Sequence, residues 1–166
     1  VLIAPILVLI TRGEYGWALA LFWIAGFSDG LDGYLAVRFG WTTRLGGLLD
    51  PAADKLLMTG LFVTLAWTGL IPVWLAAVVI ARDLVIVAGA LAYSHFVKPV
   101  QGEPTNISKA NTVLQMLFVL FVLSRAGFGW PDEITITVLG AAVFVTVVIS
   151  GIDYVVSWSA RARAGE

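Results

Sequence analysis

DGLDGYLAVRFGWTTRLGGLLDPAAD, residues 29–54, is the stretch that decides the fold. Its carboxylates form two pairs, Asp29 with Asp32 and Asp50 with Asp54, spaced three and four positions apart. Residues at these spacings lie on the same face of an α-helix, so each pair is expected to share one face of its own helix. Only a short polar turn separates the two predicted helices, which places all four carboxylates at one depth.

This acidic cluster needs an explanation because the surrounding sequence is apolar. A carboxylate inside a bilayer is costly unless a cation or water neutralises it, and ionisable residues there usually have a function. Solvated loop acids or helix caps are the alternative interpretation, which two same-face pairs disfavour. Magnesium and similar hard cations are commonly held by a few carboxylates together with substrate phosphates. The pattern therefore predicts a site for Mg²⁺ or Mn²⁺.

The composition places the chain among polytopic membrane proteins. Its 166 residues are 60% hydrophobic and 13% charged, with a mean hydropathy of +0.94, which lies outside the usual range of soluble domains. The net charge of −1 gives no indication of nucleic-acid binding. Cysteine is absent, which excludes disulfides and thiolate chemistry. We expect one all-α domain over residues 1–166, made of six transmembrane helices.

The predicted helices follow the apolar runs between Gly-, Pro- and charge-rich turns. The first is too short to span, since about 20 apolar residues are needed, and is expected to be a transmembrane helix whose start is missing. The six predicted ranges are 1–10, 17–39, 45–67, 73–95, 106–124 and 132–158.

The distribution of basic residues predicts the orientation. Lys and Arg concentrate on the side that follows the even-numbered helices, and cytoplasmic loops carry such an excess. Both termini and the four aspartates are therefore expected on the cytoplasmic or mitochondrial-matrix side. The basic residues on that side are Arg38, Arg44, Lys55, Lys98, Lys109, Arg161 and Arg163.

The same stretch resembles the CDP-alcohol phosphatidyltransferase family. That family carries D-x-x-D-G-x-x-A-R followed, after a short gap, by G-x-x-x-D-x-x-x-D. This sequence departs from the pattern at Val37, where the family has Arg, and Arg38 is the candidate replacement. The matching positions are Asp29, Asp32, Gly33, Ala36, Gly46, Asp50 and Asp54.

The resemblance implies roles for these residues. The four aspartates would hold the divalent metal, and Asp54 would also be the candidate catalytic base. The donor would be CDP-diacylglycerol, with CMP released, and donor-binding positions would be Asp29, Gly33, Ala36, Arg38 and Gly46. For the small residues, ordinary helix packing remains the alternative. The family resemblance also implies an integral protein of the bacterial inner or mitochondrial inner membrane, and a homodimer.

The acceptor side has two candidate elements. Arg82 lies inside predicted helix four beside Asp83, where it could form an intramembrane ion pair or anchor the phosphate of an acceptor. Ser108 and Lys109 open predicted helix five, where capping and snorkelling are the alternative to acceptor binding.

The run from Ser108 to Thr112 resembles the cardiolipin synthase type of this family. Phosphatidylglycerophosphate synthases tend to have a second Lys here, which this chain lacks. The resemblance therefore implies phosphatidylglycerol as acceptor and cardiolipin as product, with glycerol 3-phosphate as the alternative acceptor.

Two other classes of protein could use membrane carboxylates. A cation transporter or channel would have charged residues along a path across the membrane, whereas these acids cluster at one side. A membrane scaffold with a structural metal would explain the carboxylates but not the small and basic residues around them.

Overall fold

The computed structural model describes residues 2–39, 46–96 and 106–164, with side chains for 2–28, 55–89, 107–154 and 156. Within these residues the secondary structure is entirely α-helical, as the apolar runs predict. The six helices are α1 (Ile3–Thr11), α2 (Tyr15–Phe39), α3 (Gly46–Trp67), α4 (Val73–Phe96), α5 (Asn106–Phe128) and α6 (Glu133–Ala164).

Two helices extend by about one turn or more beyond their predicted ends. α5 continues to Phe128 rather than Ser124, and α6 continues to Ala164 rather than Trp158. The extension of α5 includes Gly127, because this glycine serves helix packing and not a turn: a Cβ there would lie 3.1 Å from the backbone nitrogen of Gly16. The extension of α6 reflects a sequence without Gly or Pro after Gly151 until position 165, so no local signal stops the helix.

Glycines with positive φ end the helices where the turns are tight. Gly69 has φ of +74°, and after α3 its N–H donates to the carbonyl of Ala66 while the N–H of Leu70 donates to that of Leu65. This pair of bonds is the Schellman arrangement, which satisfies the last carbonyls of a helix and favours glycine at the left-handed position.

The helices fall into two compact units. The first comprises Val1–Val73 and Val119–Asp132, and in it α1 packs against both α2 and α3. Gly60 allows close contact here, since a Cβ at that position would be 3.1 Å from Leu7 Cδ1. The unit thus brings the two aspartate-bearing helices against one short apolar helix. Its buried hydrophobic side chains are those of Ile6, Ile10, Ala18, Phe22, Met58, Leu61, Phe62, Leu65, Ile71, Val119, Val122 and Leu123.

The second unit comprises Trp74–Phe118 and Glu133–Glu166, which include most of α4, the first half of α5 and α6. Gly140 on α6 lets Phe118 approach closely, since a Cβ there would be 3.3 Å from the Phe118 ring. The rings of Trp74 and Phe144 meet edge to face with centroids 5.6 Å apart. Apolar packing at this end of the unit holds α4, α5 and α6 in register. The hydrophobic core of the unit is formed by Leu75, Ala76, Val79, Ile86, Phe118, Val143 and Val147.

Membrane insertion is supported by length, composition and surface. Among the described residues, Ile107–Phe128 and Glu133–Tyr154 are long and apolar enough to cross a membrane, while Tyr15–Ser28 and Lys55–Trp67 are apolar but shorter. Large apolar side chains are widely exposed, among them Trp67 (86%) and Ile134 (73%), which suits lipid contact better than water. The topology of six spans remains a prediction.

Candidate active site

The aspartate pairs lie on two neighbours of α1. Asp29 and Asp32 are within α2, and Asp50 and Asp54 are within α3. The helical backbone continues through all four positions, so the two members of each pair share a helical face. The side chains of residues 29–54 lie outside the described part of the structure, and the metal site itself remains a prediction.

The predicted donor-binding residues lie in the same stretch. Gly33, Ala36 and Arg38 belong to α2, and Gly46 is the first residue of α3. Gly33 and Ala36 stand four and seven positions after Asp29, which keeps them on the aspartate face of α2. The contacts of these residues lie outside the described side chains, so their part in donor binding also remains a prediction.

The four aspartates, as predicted metal ligands, fit a hard divalent cation. Four carboxylates offer only oxygen ligands, which is the chemistry that Mg²⁺ and Mn²⁺ prefer. The predicted cluster of four negative charges would also require neutralisation in an apolar environment. Among the described side chains, no other group of three or more His, Cys, Asp or Glu residues could hold a metal. The stretch from Asp29 to Asp54 is therefore the candidate metal centre of this chain.

A second polar group, here called the Arg82 cluster, lies inside the unit formed by α4, α5 and α6. It consists of Arg82, Asp83, Ser108 and Ser150. Arg82 on α4 is only 8% exposed, and its Nη1 donates to Asp83 Oδ1 at 2.7 Å. Its Nη2 donates to Ser108 Oγ on α5 at 2.9 Å and to Ser150 Oγ on α6. The guanidinium therefore joins three helices. The structure confirms the ion pair between Arg82 and Asp83, while acceptor binding by Arg82 remains a prediction.

One donor of this guanidinium is not used. Arg82 Nε is buried and has no hydrogen-bond partner among the described residues. Buried polar groups are nearly always paired, and an unpaired one typically costs about 1–3 kcal/mol. Among the described side chains, Asp83 forms an ion pair with the guanidinium at 2.7 Å, and the formal charges of these two side chains cancel. The buried N–H of Arg82 Nε can therefore donate to an additional acceptor oxygen, and one on a group of low negative charge suits an ion pair without net charge.

The structure separates the two predicted acceptor residues of α5. Ser108 is half-buried and bonded to Arg82. Lys109 is exposed, because successive residues on a helix point about 100° apart. The side chain of Lys109 therefore lies outside the buried cluster around Arg82.

The helical spacing of further polar residues on α5 and α6 is a signal that the sequence analysis did not use. Asn111 and Gln115 continue the face of Ser108 at steps of three and four, and both are buried. On α6, Thr146 and Ser150 stand four apart, and Thr146 Oγ1 lies 3.0 Å from Asn111 Oδ1. Polar residues at helical spacing within apolar helices indicate a shared polar interface, but the partner helix could not be identified from spacing alone.

Comparison with known proteins places these observations in a family context. The model of the CDP-alcohol phosphatidyltransferase family matches residues 1–150. This match covers both aspartate pairs, Arg82 and the polar residues of α5.

Three curated relatives show the range of enzymes to which the chain is similar. Cardiolipin synthase (CMP-forming) of Homo sapiens is 32% identical over 92% of this chain and 56% of its own length. The enzyme of the same name from Streptomyces coelicolor is 39% identical over 74% of this chain and 59% of its own. CDP-diacylglycerol–glycerol-3-phosphate 3-phosphatidyltransferase 1, chloroplastic, of Oryza sativa is 33% identical over 79% of this chain and 45% of its own. The chain spans about half the length of these relatives.

Proposed function

The chain belongs to the CDP-alcohol phosphatidyltransferase family, and on that premise we propose that it transfers a phosphatidyl group from CDP-diacylglycerol to an alcohol acceptor. The acceptor oxygen forms a bond to the phosphatidyl phosphorus, and the bond from that phosphorus to the bridging oxygen of the pyrophosphate breaks. CMP leaves with the bridging oxygen, and the hydroxyl proton passes to a base. The observation that carries this proposal is the family match over residues 1–150, which includes the motif from Asp29 to Asp54.

The aspartates on α2 and α3 would hold the divalent cation, Mg²⁺ or Mn²⁺. When bound, such a cation neutralises pyrophosphate charge and stabilises the leaving phosphate of CMP. The carboxylates of Asp29, Asp32 and Asp50 would supply oxygen ligands to it. Asp54, one helical turn beyond Asp50, contributes to the same site and accepts the proton of the attacking hydroxyl as general base.

The remaining residues of the motif are proposed to bind the nucleotide part of the donor. Gly33 and Ala36 have small side chains, which would leave a groove on the aspartate face of α2 for a flat base. Gly46 at the start of α3 would allow similar close approach. Arg38 would provide the positive charge for the pyrophosphate that Val37 cannot provide.

Phosphatidylglycerol is the proposed acceptor, and cardiolipin is the proposed product. The charge of the Arg82 cluster supports this choice, because the buried Arg82–Asp83 pair is neutral. The phosphodiester of phosphatidylglycerol brings one negative charge, whereas a phosphate monoester brings about 1.5 to 2 near neutral pH. We propose that Arg82 and Ser108 bind this phosphodiester, with Lys109 contributing from the exposed side.

Glycerol 3-phosphate is the second candidate acceptor. The similarity to the chloroplastic enzyme of Oryza sativa, at 33% identity, favours it. Either acceptor would be used at a membrane, with the aspartates facing the cytoplasm or the mitochondrial matrix. A homodimer in the bacterial inner or mitochondrial inner membrane is part of the same proposal.

The test is an assay of the purified protein with CDP-diacylglycerol, a divalent cation and each acceptor in turn. CMP release is followed by chromatography, and the lipid product is identified by mass spectrometry. We expect cardiolipin from phosphatidylglycerol and little product from glycerol 3-phosphate. Higher turnover with glycerol 3-phosphate would contradict the acceptor assignment, and no CMP release with any alcohol would contradict the proposed activity.

A further inference from the structure

Two buried amides lie beyond Ser108 on the inner face of α5. Asn111 is 0% exposed and Gln115 is 3% exposed. Their side-chain nitrogens, Nδ2 and Nε2, have no hydrogen-bond partner among the described residues. Buried amide nitrogens without a hydrogen-bond partner are unusual in a folded protein. Two of them one helical turn apart point to a ligand that carries its own hydrogen-bonding atoms.

The two amides lie on the same face of α5 as Ser108, which belongs to the Arg82 cluster. Ser108, which is bonded to Arg82, comes three positions before Asn111 on the same helical face. At 1.5 Å per residue, Asn111 lies roughly 5 Å and Gln115 roughly 10 Å further along α5. On the facing side of α6, Val143 and Val147 are buried and apolar. The polar groups are therefore ordered along α5, with the charged pair first and the uncharged amides deeper.

The surroundings of Asn111 indicate which chemical group would fit. The hydroxyl of Thr146 has one proton but lies 3.0 Å from three acceptors: Asn111 Oδ1, Ala142 O and Val143 O. If the proton goes to Asn111, the amide nitrogen is left without a partner. If it goes to a backbone carbonyl, the amide turns to donate to Thr146 and its oxygen is left instead. A hydroxyl can donate and accept, so it pairs with Asn111 in either orientation, whereas a phosphate oxygen can only accept.

We propose that Asn111 and Gln115 bind the hydroxyl of the acceptor glycerol that does not react, and so determine which alcohols are used. This inference rests on the proposed function. It assigns the phosphate of the acceptor to the cluster around Arg82 and the uncharged hydroxyl to the amides deeper along α5. The enzyme would then require a second hydroxyl beside the reacting one.

The test compares phosphatidylglycerol with an analogue whose headgroup is 1,3-propanediol instead of glycerol. This analogue keeps the terminal hydroxyl that reacts and lacks only the middle, non-reacting hydroxyl. For the wild-type chain we expect kcat/KM to be lower with the analogue by about tenfold or more, the contribution of at least one buried hydrogen bond. In the double variant Asn111→Leu with Gln115→Leu, activity with phosphatidylglycerol should fall toward that with the analogue. Activity with the analogue itself should change little.

Thr112→Val is the matched control. Thr112 is next to Asn111, and among the described residues its Oγ1 donates to the backbone carbonyl of Ser108 at 3.2 Å, one turn earlier on the same helix. This variant should therefore keep the preference for phosphatidylglycerol. The Leu variants are expected to fold, because each removes a buried amide nitrogen without a partner. The Thr146 hydroxyl that contacts Asn111 Oδ1 keeps the carbonyls of Ala142 and Val143 as acceptors. Their thermal unfolding temperature in detergent provides the check on folding.

The outcomes separate this inference from the proposal on which it rests. Equal kcat/KM of the wild-type chain for both acceptors overturns the inference and leaves the phosphatidyltransferase activity intact. The inference is also overturned if the Leu variants fold yet lose activity equally with both acceptors, since the amides then act only on structure. If glycerol 3-phosphate is the acceptor, the same comparison is made with propanediol phosphate. Absence of CMP release with every alcohol instead overturns the proposed function itself.

Discussion

Replacing Arg82 with methionine should reduce both stability and acceptor use, by amounts that follow from its contacts. Methionine has a similar unbranched stem, so the main change is loss of the bonds to Asp83, Ser108 and Ser150. The side chains of Arg82 and Asp83 are only 6% and 13% exposed. Removing one partner of such a buried pair typically costs about 3–5 kcal/mol. We therefore expect a clear decrease in the thermal unfolding temperature of Arg82→Met in detergent.

The kinetic effect is a separate quantity. A hydrogen bond to a charged group is worth about 1.5–3 kcal/mol, so loss of the proposed phosphodiester contact should lower kcat/KM for phosphatidylglycerol by about 10- to 150-fold. The measurement uses saturating CDP-diacylglycerol and varied acceptor, with rates normalised to folded protein. Arg82→Lys should recover part of the activity, because lysine keeps the charge but cannot reproduce the fork of donors.

Gly151→Ala is the control for this region. An added Cβ would be 3.7 Å from Arg82 Cγ, an ordinary contact, so neither stability nor acceptor kinetics should worsen. An Arg82→Met variant that is destabilised but keeps normal kcat/KM would refute acceptor binding and leave Arg82 a purely structural residue. An unchanged unfolding temperature would refute the estimate for the buried ion pair.

Four further predictions test other parts of the proposal. EDTA should abolish turnover and added Mg²⁺ or Mn²⁺ should restore it; full activity after thorough chelation would exclude the proposed metal centre. Asp54→Asn should lower the single-turnover rate by roughly 10²–10⁴-fold, while most of the affinity for CDP-diacylglycerol is kept. Asp29→Asn should instead weaken the binding of both metal and CDP-diacylglycerol, as measured by calorimetry. Equal loss of CDP-diacylglycerol binding in the two variants would make Asp54 mainly a metal ligand. Asp83→Asn should leave Arg82 with a net positive charge and raise the ratio of turnover with glycerol 3-phosphate to that with phosphatidylglycerol; an unchanged ratio would contradict the charge argument. Gly127→Ala should lower the unfolding temperature, since its Cβ would lie 3.1 Å from the backbone of the neighbouring helix, at a cost of about 1–3 kcal/mol. Gly26→Ala is the control and should leave the unfolding temperature unchanged, because nothing lies within 4 Å of the added Cβ.

Two glycines illustrate where sequence interpretation of helix ends succeeds and fails. Gly69 lies between the predicted helices 45–67 and 73–95, and it has the positive φ of a helix terminator. Gly127 also lies between two predicted helices, 106–124 and 132–158, but in the structure it is inside α5 against the backbone at Gly16. The local sequence is compatible with both uses of glycine. Only the contact between distant segments determines whether glycine ends a helix or permits close packing.

The sequence by itself determined the helical class and the family of this protein. Apolar runs between turns predict the six helices, and the spacing from Asp29 to Asp54 carries the family motif, because both are properties of neighbouring positions on the chain. The match of the family model over residues 1–150 confirms the resemblance.

The tertiary structure decided which residues surround Arg82. Its partner Asp83 is adjacent in sequence, but Ser108 and Ser150 are 26 and 68 positions away, and Asn111 meets Thr146 from 35 positions away. Helical spacing places Ser108, Asn111 and Gln115 on one face of α5, yet it cannot specify which helix that face meets. That choice depends on how the apolar surfaces of α4, α5 and α6 pack together, since the energy of packing is shared among all three helices and encoded in no single segment.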